Sequence, residues 1–271
     1  MKKKKRRRLS LDELNAYKRA YGRPLQAKDY GQTVFFPALI GGGLTFLLLH
    51  QWLIALFFAF LFGWFGYAVL LPKNVLRFYE HQALIQRNRW MNNLTQLFSD
   101  GEMSWFQGIQ LANQRTEGAF REDLDQLLAT LYDAPAKERS QAFQVFQKKY
   151  DKDVIFRMYL EQVEILALEG RHSIETLKDI NHYHNQIKEC QRQFVHQKKI
   201  IARQFLVYGT LILGILLLLQ FFPLGFSVYY HAFASTWVGW ITSGLFLLTT
   251  WYLLARGTFY YFDDAVMEVK L

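Results

Sequence analysis

Charged residues are absent from two long stretches of this 271-residue chain, and this segregation constrains its fold more than any other feature. Residues 30–72 and 204–255 contain no Asp, Glu, Lys or Arg, so all 32 basic and 23 acidic side chains fall elsewhere. Soluble domains interleave their core elements with charged surface residues every few positions. Bilayer spans exclude charge because a charged side chain at the bilayer centre costs several kcal/mol. The pattern therefore predicts a polytopic membrane protein.

The first charge-free stretch is too long for one span. Residues 33–71 as a single straight helix would reach roughly 58 Å at ~1.5 Å per residue, about twice the ~30 Å of a hydrocarbon core. Two spans at 33–50 and 52–71 fit better, with His50, Gln51 and Trp52 at the tip where the chain reverses. The glycines at 41–43 then lie inside the first span, where they either allow close helix contact or weaken the helix.

The second charge-free stretch divides at Pro223 and Gly225 into spans at 205–222 and 236–255. The predicted fold is all-α, with four transmembrane helices and a cytoplasmic bundle of about six helices. Its parts are a basic cytoplasmic N-terminal segment with a short amphipathic helix (1–32), a transmembrane hairpin (33–71), the cytoplasmic bundle (72–204), a second transmembrane pair (205–255) and a cytoplasmic tail (256–271).

Basic residues predict the orientation, because cytoplasmic loops are enriched in Lys and Arg. Residues 1–32 contain 11 of them and residues 72–204 contain 19, whereas the two short turns on the opposite side contain none. Both termini and the bundle are therefore expected in the cytoplasm. The basic run Lys2–Arg8 suggests either nucleic-acid binding or a topology anchor on anionic lipid, and the membrane context favours the anchor.

Helix signals divide the bundle. Ser104 with Gln107 forms a capping box, and so does Ser10 with Glu13 ahead of the amphipathic helix, which is expected either on the membrane surface or packed on the bundle. The first and last bundle helices are predicted to continue the second and third spans. A movement of the bundle would then reach the spans through continuous helices. Within the bundle, Phe120, Leu124, Leu127 and Leu131 form one helical face. Helix breaks are predicted at Asp133 and Pro135 and at Glu169 and Gly170.

The sequence contains no pattern typical of an active site. Phosphate-binding glycine loops are absent, and His182 and His184 would point about 200° apart on a helix, so they cannot share a metal ion. No Asp or Glu lies inside a predicted span, which argues against ion-coupled transport. We expect no catalytic residue, no cofactor, no metal and no enzymatic activity.

An acidic group at Glu161, Glu164, Glu169 and Glu175 follows a basic group at Lys148, Lys149, Lys152 and Arg157. These charges suggest either a solvated face with local pairs such as Arg157–Glu161 or a docking surface for a cytosolic partner.

The stretch from Arg89 to Leu217 resembles the type II secretion system F domain. The resemblance rests on the segments RWMNNLTQLFSDGEMSWFQGIQLA and FRMYLEQVEILALEGRHSIETLKDI and on the helix breaks within them. One copy of the domain between two span pairs is similar to the Tad-type (TadB- and TadC-like) platform proteins. Tyr132–Pro135 departs from the family, which usually has a glycine-containing break there.

This resemblance implies a platform protein in the bacterial cytoplasmic (inner) membrane for a pilus-like or type II secretion-like assembly. Expected partners are a hexameric secretion ATPase, pilin-like subunits, membrane lipid and a second copy or related platform chain, but not nucleic acid. The residues expected at the partner-docking surface are Gly101, Glu161, Glu164, Glu169 and Gly170. The alternatives are a membrane signal transducer or scaffold and, less favoured, a lipid-modifying enzyme.

Overall fold

The computed structural model describes residues 9–99, 103–169, 174–222 and 225–262. Across these ranges the regular elements are all helical and no strand occurs, as predicted. In chain order the α-helices are α1 (Leu11–Arg19), α2 (Ala27–Tyr30), α3 (Phe36–Leu49), α4 (Trp52–Phe65), α5 (Leu71–Ser99), α6 (Trp105–Gln114), α7 (Ala119–Leu131), α8 (Ala136–Lys149), α9 (Val154–Glu169), α10 (Ile174–Phe221), α11 (Gly225–Tyr229) and α12 (Trp237–Tyr261).

The described residues form two compact units. The apolar unit comprises residues within 9–15, 24–77 and 195–262, and the bundle comprises residues within 16–23 and 78–194. Helices α5 and α10 each contribute residues to both units.

Four helices are long and apolar enough to cross a lipid bilayer, judged by length and composition. They are Ala27–Leu49, Trp52–Ser99, Ile174–Phe221 and Trp237–Tyr261. The first joins α2 to α3 and the second joins α4 to α5, each through one π-helical turn. The four predicted apolar segments are thus confirmed as helices. The predicted reversal is confirmed at His50 and Gln51: His50 has a left-handed backbone with φ of 53°, and Trp52 already begins α4.

Small residues bring α3 and α4 into close contact. Gly41 faces the ring of Phe62, and a Cβ at Gly66 would overlap the carbonyl oxygen of Thr33. Such close backbone approach favours van der Waals packing between apolar helices. Of the predicted glycine cluster, residues 41 and 42 contact α4, whereas Gly43 faces open space. The glycines therefore allow helix contact in the hairpin.

The carboxyl end of α3 is satisfied by side chains from later in the chain. The last carbonyl groups of a helix have no partner within it. Here Gln220 Nε2 donates to the carbonyl of Leu47 at 2.7 Å, and the Tyr229 hydroxyl donates to that of Leu48 at 3.0 Å. Leu48 and Leu49 also pack against Leu247. These contacts join α10, α11 and α12 to the hairpin within the apolar unit.

The bundle packs around Trp90, which is completely buried. Its indole ring makes edge contacts with Phe120, Phe156 and Tyr159 at centroid distances of 6.0, 5.9 and 5.9 Å. Aromatic pairs in this geometry are favourable beyond the area that they bury. The predicted face of α7 is confirmed: Phe120, Leu124, Leu127 and Leu131 are all buried.

Local helix signals begin three helices close to where the sequence predicts, namely α1, α6 and α8. The Ser10–Glu13 capping box is present in both directions, at 2.7 and 3.2 Å. Ser104 Oγ accepts from the Gln107 backbone N–H at 3.3 Å and begins α6. Pro135 is the residue before α8.

The N-terminal helix α1 is divided between the two units, since residues 11–15 belong to the apolar unit. Residues 16–23 belong to the bundle, where the Ala20 carbonyl accepts from the Ala119 N–H at 3.1 Å. Gly118, with φ of 70°, lies so close to this carbonyl that a Cβ would overlap it. The glycine allows both the left-handed backbone and the close approach.

Candidate functional site

Three of the predicted docking residues lie on α9, and Gly101 and Gly170 lie outside the described residues. Glu164 accepts hydrogen bonds from Ser140 Oγ at 2.7 Å and from Gln147 Nε2 at 2.8 Å, so it joins α9 to α8. Glu161 lies 3.5 Å from Arg157 Nε. Glu169 is exposed at the carboxyl end of the helix. The three glutamates of α9 therefore divide into one inter-helix contact and two exposed carboxylates, and Glu175, the fourth member of the acidic group, lies exposed on α10.

Helix α9 is apolar on two opposite sides. Its inner side contributes seven residues to the core: Ile155, Phe156, Tyr159, Leu160, Val163, Leu166 and Ala167. Met158, Glu161, Ile165 and Leu168 follow one another at spacings of three and four, which places them on one helical face, opposite that core. We call these four residues the α9 outer face. Its three apolar members remain 46, 37 and 38% exposed.

A second feature is a polar seam where α5 meets α10 inside the bundle. We define the seam as Asn88, Asn92, His184, Asn185 and Lys188. Asn88 Nδ2 lies 3.0 Å from His184 Nδ1 and donates to Asn185 Oδ1 at 2.8 Å. Lys188 Nζ donates to Asn88 Oδ1 at 2.5 Å, and Asn185 Nδ2 donates to Asn92 Oδ1 at 2.9 Å. Asn88 and His184 are almost completely buried.

Burial lowers the pKa of His184, because the imidazolium loses hydration in the seam. Asp153 raises this pKa, whereas Arg87 and Lys188 lower it further. Arg87 Nε also pairs with Asp153 at 3.0 Å, which reduces the charge that the carboxylate presents to the imidazole. The seam therefore favours a neutral His184 whose Nδ1 accepts a hydrogen bond from Asn88 Nδ2.

Sequence reasoning missed this seam, although a signal was present. Asn88 and Asn92 are four residues apart, and His184 and Lys188 have the same spacing. Polar residues at helical spacing along the inner face of two helices are typical of a buried hydrogen-bonded contact. The sequence analysis considered His184 only as a metal ligand. Throughout the described residues, no group of three or more His, Cys, Asp or Glu side chains is placed to bind a metal ion.

The fold and these contacts define an all-helical protein with four apolar helices of membrane length and a helical bundle. No protein-family model matches the chain, and no solved structure matches it. The chain is 37% identical over 270 residues to the uncharacterized protein pXO2-23 of Bacillus anthracis, covering 99% of this chain and 97% of that one. The two proteins belong to one family, and the match extends through the apolar unit and the bundle alike.

Proposed function

We propose that the chain is an integral protein of the bacterial cytoplasmic membrane, with its bundle and both termini in the cytoplasm. Four helices of membrane length support the spanning part of this proposal. The distribution of Lys and Arg supports the orientation, since residues 1–32 and 72–204 hold 30 of the 32 basic side chains.

The proposed role is that of a platform for a pilus-like or type II secretion-like assembly. The bundle would dock a hexameric secretion ATPase, and the spans would receive pilin-like subunits. One observation carries the proposal: Trp52–Ser99 and Ile174–Phe221 each run as a single helix from an apolar segment into the bundle. A movement imposed on the bundle would be passed along these helices without a flexible linker. The resemblance to the secretion F domain supports the choice of partners.

The orientation is tested with the one cysteine of the chain, Cys190, which is exposed. A membrane-impermeant maleimide should label it in permeabilised cells and leave it unlabelled in intact cells. The matched control is Cys190→Ser combined with Gln51→Cys, which moves the thiol to the turn between α3 and α4 and should be labelled in intact cells. Labelling of Cys190 in intact cells would contradict the proposed orientation.

The platform role is tested by purifying the tagged chain from its own membranes in mild detergent and identifying what accompanies it by mass spectrometry. A hexameric secretion ATPase or pilin-like subunits are the expected companions. Recovery of the chain alone, or with signalling proteins, would contradict the platform proposal and favour a membrane transducer or scaffold.

A further inference from the structure

The outer side of α9 differs from that of α7. A helix on the surface of a bundle normally buries one apolar stripe and presents polar residues to solvent. Helix α7 follows this rule, because its exposed positions are polar or alanine: Arg121, Glu122, Asp125, Gln126, Ala129 and Thr130. Helix α9 instead presents Met158, Ile165 and Leu168 on the side opposite the core. This pattern is typical of a helix that packs on both sides.

Charge on the same helix indicates what packs there. Although the chain carries a net charge of +9, α9 contains three glutamates and one arginine. Glu161 lies within the outer face. Glu169 ends the helix, where the helix dipole is negative and favours cations rather than carboxylates. A partner with Lys or Arg beside an apolar stripe would cover the apolar side chains and stabilise both carboxylates.

We propose that the α9 outer face binds an amphipathic helix of a partner protein, with apolar residues at its centre and Lys or Arg along its edges. This inference rests on the proposed function, since it names the chemistry of the partner that docks on the bundle. The carboxylates would steer the encounter and set the orientation of the partner helix, and burial of Met158, Ile165 and Leu168 would supply most of the affinity. Glu164 is already hydrogen-bonded to Ser140 and Gln147 of α8, so it would not contact the partner.

The first test uses the full chain in nanodiscs of zwitterionic lipid and a synthetic amphipathic helix of leucine and lysine. Binding is measured against empty nanodiscs, so that lipid binding by the peptide is subtracted. Ile165→Ser with Leu168→Ser should weaken binding by roughly tenfold or more, and Glu161→Gln with Glu169→Gln should weaken it severalfold. The control Val145→Ser removes an apolar side chain of α8 that is even more exposed, at 73%, and should leave binding unchanged.

Two outcomes of this test would overturn the inference. One is equal binding of the counterpart peptide in which glutamate replaces lysine. The other is unchanged binding by the two α9 variants. A photo-crosslinker at position 165, used in the chain's own membranes, adds an independent readout. Cross-linking to a second copy of the chain would show that the face is a homo-oligomer contact and would contradict binding of a partner helix.

The Ile165→Ser, Leu168→Ser variant is also carried through the membrane purification described above. If the wild-type chain recovers a secretion ATPase and the variant recovers it equally well, the α9 inference fails while the platform proposal stands. If the wild-type chain recovers no ATPase but the peptide binds as expected, the platform proposal fails while the α9 face stands. Hydrogen exchange of the α8 and α9 amides distinguishes loss of the face from loss of folding.

Discussion

The α3–α4 hairpin and the bundle are both made of packed helices, but they use large side chains in opposite ways. In the bundle, Trp90 and Phe120 lie inside, completely or almost completely buried. In the hairpin, Phe57 and Phe60 point outward and are 59 and 68% exposed, while glycines occupy the contact between the helices. Water drives large apolar groups into a core, whereas a lipid surround removes that drive and leaves close packing to hold helices together. This difference is the one expected if, as proposed, the hairpin is surrounded by lipid and the bundle by water.

The largest expected effect comes from truncating the centre of the bundle. Trp90→Ala removes three aromatic contacts and leaves a cavity, which should lower the free energy of unfolding of the bundle by about 3–5 kcal/mol. Hydrogen exchange of bundle amides in the full chain measures this loss. The control Trp64→Ala removes an exposed indole of α4 and should change bundle exchange little. Equal effects of the two substitutions would contradict the contrast between the units.

The hairpin should be sensitive to an added methyl group rather than to a removed ring. Gly66→Ala places a Cβ against the Thr33 carbonyl and should destabilise the hairpin by about 1–3 kcal/mol, because two backbones must separate. Gly43→Ala faces open space and is the matched control. Unfolding of the purified chain in mixed micelles reports the difference. A hairpin that tolerates both substitutions equally would show that close backbone contact is not what holds it.

The polar seam should show an intermediate effect. Asn88→Ala leaves Lys188 and His184 without their shared partner inside the bundle, and an unsatisfied buried polar group costs about 1–3 kcal/mol. Gln96→Ala, on the exposed side of α5, is the control and should be nearly neutral. Exchange of the amides of α5 and of residues 174–194 measures the loss. An Asn88→Ala variant as stable as the control would mean that the seam contributes no net stability.

The smallest effect is a dependence of stability on pH. The pKa of His184 is lowered in the folded bundle, so between this value and the unfolded pKa of about 6.5 the unfolded chain binds more protons. The free energy of unfolding should therefore be constant above the unfolded value and decrease as the pH falls below it, by at most about 1.4 kcal/mol per pH unit. His184→Gln should flatten this dependence. His182→Gln, on the exposed side, should retain it, and an unchanged slope in His184→Gln would exclude this histidine as the cause.

Much of the fold follows from short-range features of the sequence. The start of α6 after Ser104 and the start of α8 after Pro135 depend on caps and breakers within a few residues. The exposed α9 outer face is also visible as apolar residues opposite the main stripe. The acidic group predicted from the sequence includes Glu161 of this face, whereas Ile165 and Leu168 have no predicted role.

The helical class, the four apolar segments and the reversal after the first span can all be predicted from the sequence, because charge-free runs and helix caps act over distances of a few residues along the chain. Tertiary structure decided which polar residues pair. Asn88 and His184 are 96 positions apart, and Gln220 is 173 positions from the Leu47 carbonyl that it satisfies. Local propensity carries no information about such pairs. They depend on the register in which distant helices pack, and that register is set by the shapes of the whole core at once.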